Sequence, residues 1–317
     1  MNIKSKYSRF NSLGREFGFG FALQATISHA IGNRRMFVNC LIRKLSTVFK
    51  DEVNRIGKEH REEPVNKQKQ IWSMWWQGVD ALPDILKLCY ASHLKFFSEK
   101  DNYRYVLITK DNYRQYVEVP ETIEEKLHAG IISFTHFSDL LRVLLLEKYG
   151  GVWFDITLLL TKPFDNTVFE RNYYSANLSG YYIAPNNLGQ YITNYQWTGF
   201  FFATKMAHSA LFVFLKNVLI KYWEQYNYPI DYFMLNLFIR LACIKNLEIN
   251  DSIKKIPLNN RHLYDMQPLM NHSFDESLFN GLSEGTYIYK LTQKQEYFLH
   301  NNNAPTLYQF VKSVYGK

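Results

Sequence analysis

The chain has 317 residues, of which 47% are hydrophobic and 17% aromatic; that is enough to bury a sizeable core and excludes a disordered protein. Its formal net charge of +8 sits entirely in residues 1–50, where nine basic residues (Lys4, Lys6, Arg9, Arg15, Arg34, Arg35, Arg43, Lys44, Lys50) face one acid, Glu16, so the remaining body is electroneutral and nucleic acid is not its partner. Three widely spaced cysteines (Cys40, Cys89, Cys243) with no CxxC exclude a disulfide framework or a zinc site and suit a reduced, cytoplasmic protein.

In chain order, "FGFGFALQATISHAIG" (17–32) is apolar but too short and too interrupted to span a bilayer or to serve as a secretory signal. In "RRMFVNCLIRKLSTVFK" (34–50), Met36, Phe37, Cys40, Leu41, Leu45 and Val48 recur near helical spacing among basic residues. The pattern fits either a helix lying on an anionic membrane surface or one packed on the rest of the protein. Residues 51–69 are highly charged and contain Pro64, which reads as a helix end and a linker. A boundary near residue 68 divides a basic, helical segment (1–68) from the main domain (69–317).

Beyond it, strands and helices alternate. "IWSMWWQ" (71–77) reads as a buried first strand, and 82–97 as a helix opened by Pro83. A second strand covers 103–110, and a helix at 120–130 ends at Gly130. The next helix spans 138–151, with Ser138 as N-cap and Gly150-Gly151 as its stop. "VWFDITLLL" (152–160) is a strand pair interrupted at Asp155. This order predicts an α/β fold with a mainly parallel central sheet. After Pro163 the pattern loosens into Tyr/Asn-rich connections around "GFFFAT" (199–204), then helices at 208–226 and near 231–244, and a last strand in "TYIYKLTQKQEYF" (286–298).

The chemistry concentrates in "HFSDLLRVLLLEKYGGVWFDITLLL" (136–160). Asp139 falls in the predicted first helical turn, and Arg142 follows one turn later on the same face. Asp155 follows an apolar strand, near the strand ends where α/β folds bind ligands. A two-glycine turn should fold helix and strand back on each other, gathering Asp139, Arg142 and Asp155 in one cleft. Two carboxylates and a guanidinium suit a nucleoside diphosphate with Mg²⁺ or Mn²⁺. Alternatively, Asp139 is only an acid at a helix start, with Arg142 as its partner. Asp155 resists such a reading, because a lone carboxylate in so apolar a run is costly to bury unpaired.

The stretch 136–160 resembles the core of glycosyltransferase family 32, in its bacterial capsular-polysaccharide-synthesis branch, with the SD-x-x-R and GG-x-aromatic-x-D arrangement. The same DxD-type region occurs in yeast-type α-mannosyltransferases and the large clostridial glucosylating toxins. "IWSMWWQG", "VEVPETIEEKLHAGIISFTHFSD" and "YIYKLTQK" extend the likeness over about residues 71–296.

The resemblance implies a GT-A-like nucleotide-sugar-binding domain and a retaining transfer from a nucleotide-sugar, UDP preferred over GDP, to a saccharide or lipid-linked acceptor hydroxyl. It implies that Trp76 stacks on the base, Asp139 holds ribose or sugar hydroxyls, and Arg142 contacts sugar and diphosphate. Asp155 would contact the donor and hold the metal. The third DxD position is Thr157 rather than an acid, a departure that puts metal dependence in question; the remaining ligand is sought near "YIYKLTQK". Asn194 and Trp197 either face the sugar or are structural, and Asp231 either lines the acceptor pocket or caps a helix. The basic N-terminus would hold the enzyme at the anionic inner face of the cell membrane, so deleting residues 1–50 is expected to release it while sparing donor hydrolysis. The competing reading is an inactive homologue serving as a scaffold subunit of a membrane assembly.

Overall fold

The computed structural model describes residues 3–58, 60–64, 68–181 and 188–316. Seven strands organise the body: β1 (Lys69–Met74), β2 (Tyr103–Ile108), β3 (Gly151–Phe154), β4 (Leu158–Leu160), β5 (Tyr173–Ser175), β6 (Phe201–Thr204) and β7 (Ile288–Lys290). The principal helices are α1 (Ile3–Phe17), α2 (Phe19–Ala30), α3 (Arg34–Val48), α4 (Lys50–Arg55), α5 (Asp84–Phe96), α6 (Glu121–His128), α7 (Phe134–Tyr149), α8 (Ala210–Gln225), α9 (Met234–Lys245) and α10 (Leu307–Tyr315).

The central sheet has the order β2-β1-β3-β6-β5. Strand β1 runs parallel to both β2 and β3, whereas β3–β6 and β6–β5 are antiparallel. The sheet is therefore mixed, not mainly parallel. Both parallel pairs lie where strand and helix alternate in the sequence. The antiparallel half comes from the region read as irregular connection, where the chain returns to the sheet without a full crossover helix. Strand β3 sits at the centre, and Val152, Trp153 and Phe154 are all buried, as expected for a strand covered on both faces.

A second, two-stranded sheet pairs β4 with β7 in antiparallel register, Leu158 opposite Lys290 and Leu160 opposite Ile288. Chain continuity through Asp155–Thr157 thus joins the main sheet to a strand pair whose partner comes from the far end of the sequence.

Helix α7 is buried along nearly its whole length, from His136 to Glu147. Near its C-terminal end the buried acid Glu147 accepts hydrogen bonds from Lys216 (2.6 Å) and His208 (2.9 Å). The N-terminal helices join the same core. Phe37, Leu41, Leu45 and Phe49 are at most 1% exposed and belong to one cluster with Tyr222, Leu237 and Phe238 of α8 and α9. Phe49 stacks on Tyr222 at 6.0 Å and meets Phe238 edge-on at 5.3 Å. The apolar stripe of α3 is thus turned into the protein, with Met36 alone of the six residues singled out in the sequence clearly exposed.

Candidate active site

The site is built on the turn between α7 and β3 and on the break after β3. Helix α7 begins at Ser133, whose hydroxyl accepts the backbone N–H of His136. The cap is therefore Ser133 and not Ser138, and Asp139 lies in the second turn, beyond the strongest pull of the helix N-terminus. Both serines precede apolar helical sequence; the earlier one wins because the pattern already begins at "FTHF". The helix stops at Gly150 (φ 63°), and Gly151 (φ 84°) passes so close to the first strand that a Cβ there would lie 2.5 Å from the carbonyl oxygen of Gln70. Only glycine admits both the positive φ and that approach.

Folding back at this turn brings helix and strand together as the spacing predicts. Arg142 Nη2 lies 3.1 Å from Asp139 Oδ1 and 3.6 Å from Asp155 Oδ1. Its Nη1 donates to the Gly199 carbonyl, and the guanidinium stacks over Trp153 at 4.9 Å. Asp155 is held in place by its own N–H, which donates to the Phe200 carbonyl (2.9 Å), and by the Leu158 N–H, which donates back to its carbonyl (3.0 Å). Asp155 Oδ1 also accepts from Trp153 Nε1 at 2.7 Å. Its second oxygen accepts from Lys290 Nζ at 3.0 Å, and the same ammonium donates to the Thr157 hydroxyl.

The two carboxyls differ in kind. Burial pushes Asp139 up to about 6, with neighbouring Asp155 adding to the rise and Arg142 offsetting part of it. Burial also raises Asp155, but Lys290, Arg142 and the donated hydrogen bonds outweigh it and hold that carboxyl below its ordinary value.

These groups open into a cleft of about 350 Å³ lined by Trp75, Trp76, Phe134, Ser138, Arg142, Asp155, Thr157, Tyr232 and Gln293, among others. Of the three tryptophans in the first strand region, Trp72 is core, its Nε1 donating to the Gly150 carbonyl (3.2 Å). Trp76 is half-buried against Tyr113 and Phe137, both at 5.3 Å, with a face at the cleft.

The sequence profile of the family described as capsular polysaccharide synthesis protein matches residues 25–311. The chain belongs to that family. Among solved structures it is similar to "PaToxG Glycosyltransferase", at 17% identity and a TM-score of 0.25, over 39% of this chain and 53% of the other. The chain thus spans about half the length of that protein, and a likeness at this level carries no argument about fold or site. No curated protein matches.

In this member of the family the cleft gathers Trp76, Arg142, Asp155 and Thr157, with Asp139 beneath them through its pair with Arg142. Three residues weighed for the substrate do not line this cleft. Asn194 is exposed in a left-handed turn (φ 50°), outside the cleft lining. Trp197 is buried and lines a neighbouring pocket with Phe200, Phe233 and Asn236. Asp231 is occupied: it pairs with Arg9 of α1 at 2.8 Å and accepts the Phe233 N–H at 3.0 Å. Its neighbour Tyr232, not singled out in the sequence, takes the place at the cleft.

The largest omission is Lys290. The signal that pointed to it was only the "YIYKLTQK" segment, where a further metal ligand was sought. The segment supplies a cation instead. The expected metal ligands, Asp155 and Thr157, both receive the Lys290 ammonium, and a divalent cation set between them would stand against that charge. The residues present therefore fit an ammonium better than Mg²⁺ or Mn²⁺.

Proposed function

We propose that the chain is a glycosyltransferase of capsular or exopolysaccharide synthesis. It would move a sugar from a nucleotide-sugar, a UDP-sugar in preference to a GDP-sugar, to a hydroxyl of an oligosaccharide or lipid-linked acceptor with retention of configuration. The observation that carries this reading is the interleaving of Arg142 and Lys290 with Asp139 and Asp155, of which Arg142 and Asp155 line an aromatic-walled cleft. Cations suit a departing diphosphate, carboxylates suit sugar hydroxyls, and the Trp76 face suits a base. Catalysis then rests on positioning and on fixed charge near the breaking bond, with no nucleophile from the protein. Asp139 and Asp155 orient Arg142, and Trp153 keeps Asp155 aimed by its N–H.

The protein would work at the anionic inner face of the cell membrane. No helix among the described residues is long and apolar enough to cross a bilayer. A peripheral position is supported by helix α2, whose outward face is apolar and flanked by the basic α1 and α3.

The test is a panel of UDP- and GDP-sugars scored for nucleotide release by wild type and Asp155→Ala. Release from one donor, reduced about 10²–10³-fold in the variant, is expected. A panel that stays silent, with no nucleotide bound in calorimetry, would instead favour a non-catalytic scaffold subunit.

A further inference from the structure

We infer that Lys290 takes the place of the divalent metal, so that donor binding and sugar transfer proceed on a protein ammonium without Mg²⁺ or Mn²⁺. The inference rests on the transferase reading above and names the group that carries its leaving-group chemistry.

Four observations converge on this residue. The Lys290 ammonium bridges the two side chains of the Asp155-x-Thr157 turn, 3.0 Å from Asp155 Oδ2 and hydrogen-bonded to the Thr157 hydroxyl. Its position is imposed by backbone pairing, because β7 places Lys290 opposite Leu158, and the next N–H, that of Leu291, donates to the Thr157 carbonyl at 2.9 Å. The ring of Phe200 lies 4.5 Å from Nζ, a face that favours a cation. The side chain is also about one quarter exposed, and both groups it bridges, Asp155 and Thr157, line the cleft.

Thr157 fits this assignment better than a second acid would. A hydroxyl accepts one hydrogen bond from an ammonium without adding negative charge, whereas a carboxylate there would overcompensate Lys290 and invite a divalent ion. With Arg142 on the other oxygen of Asp155, two monovalent cations flank one carboxylate.

The transfer step balances without an added cation. The bond between the anomeric carbon and the diphosphate oxygen breaks with its electron pair moving to that oxygen, where Lys290 and Arg142 meet the new charge. The acceptor oxygen forms the new bond to the anomeric carbon and gives its proton to the departing phosphate. Lys290 keeps its own proton throughout.

The experiment is calorimetric binding of UDP and GDP to the full chain in EDTA, in Mg²⁺ and in Mn²⁺, for wild type, Lys290→Met and Lys290→Arg, with thermal melts as a control for folding. Donor hydrolysis is followed under the same conditions. Expected is binding that changes less than about twofold with chelator, a loss of tenfold or more in Lys290→Met, and partial retention in Lys290→Arg. Hydrolysis should persist in EDTA and fall about 10²–10³-fold in Lys290→Met. Nucleotide binding or hydrolysis by wild type that requires Mn²⁺ would overturn the inference while leaving the transferase reading intact. Unchanged binding and turnover in a folded Lys290→Met would overturn it too. No nucleotide binding with or without metal would overturn both.

Discussion

Asp139 and Asp155 share one guanidinium, yet their surroundings set them apart: the first is pushed up to about 6 and the second is held below its ordinary value. An ionised Asp139 holds the Arg142 guanidinium in place better than a protonated one. Donor kcat/KM should therefore rise with pH through about 6 and level above it, and Asp139→Asn should remove that limb. The stability effect has the opposite sense. Because the folded pKa of Asp139 exceeds its reference value of 3.8, the folded state holds an extra proton between 3.8 and about 6, and stability is lost as pH rises across that window. Asp155, with a depressed pKa, contributes stability above its unfolded value that is lost as pH falls. Urea midpoints measured from pH 4 to 8 should show wild type losing ground to Asp139→Asn as pH rises to about 6; parallel curves would count against the assigned environment. Asp155 and Arg142 could be read from the sequence because a charged residue inside "VWFDITLLL" or a buried apolar helix must have a partner. Lys290 could not, because its meeting with Asp155 depends on a strand register across 135 residues.

At the scale of elements, the sequence disclosed helices better than it disclosed what they face. The stripe on α3 has the same period whether a bilayer or a protein core covers it, and here α8 and α9 belong to the cluster it joins. Helix α2 is inverted. Its buried positions are the small residues Ala22, Ala25 and Ser28, while Phe19, Leu23, Ile27 and, just past its end, Ile31 are 46–63% exposed. No charged residue interrupts 17–33, yet exposed Arg15 and Arg35 stand at its two ends. Such a face suits the headgroup boundary of an anionic bilayer, where apolar side chains enter and arginines meet phosphates. Leu23→Glu with Ile27→Glu should weaken co-sedimentation with phosphatidylserine vesicles at least about tenfold and leave donor hydrolysis unchanged. Undiminished sedimentation would remove α2 from the membrane contact. Strand β6 shows the converse difficulty: "FFAT" is short, with no alternation of apolar and polar residues, so no period distinguishes a sheet strand from a buried connection.

For the whole molecule, the charge boundary in the sequence does not coincide with a boundary in packing. Phe37, Leu41, Leu45 and Phe49 lie in the cluster that holds Phe238 and Tyr222, and Arg9 anchors Asp231 beside the cleft residue Tyr232. Removing a buried Phe alone typically costs about 3–5 kcal/mol, against a total stability of about 5–15 kcal/mol for a domain. Deleting residues 1–50 should therefore abolish cooperative melting, and activity with it, instead of yielding a freely soluble enzyme. A truncated chain that melts sharply and hydrolyses donor at the wild-type rate would refute this.

The pairing of β4 with β7 also has a consequence during synthesis. Leu158, Leu159 and Leu160 leave the ribosome well before their partner, and at roughly 5–20 residues per second the 135 residues between Asp155 and Lys290 take about 7–27 seconds to follow. Throughout that interval three leucines carry an open strand edge, and Asp155 lacks one of its two cations. Chaperone demand and premature aggregation should both peak in nascent chains that end between these strands, and the ability to hold a nucleotide should arrive only with the last one.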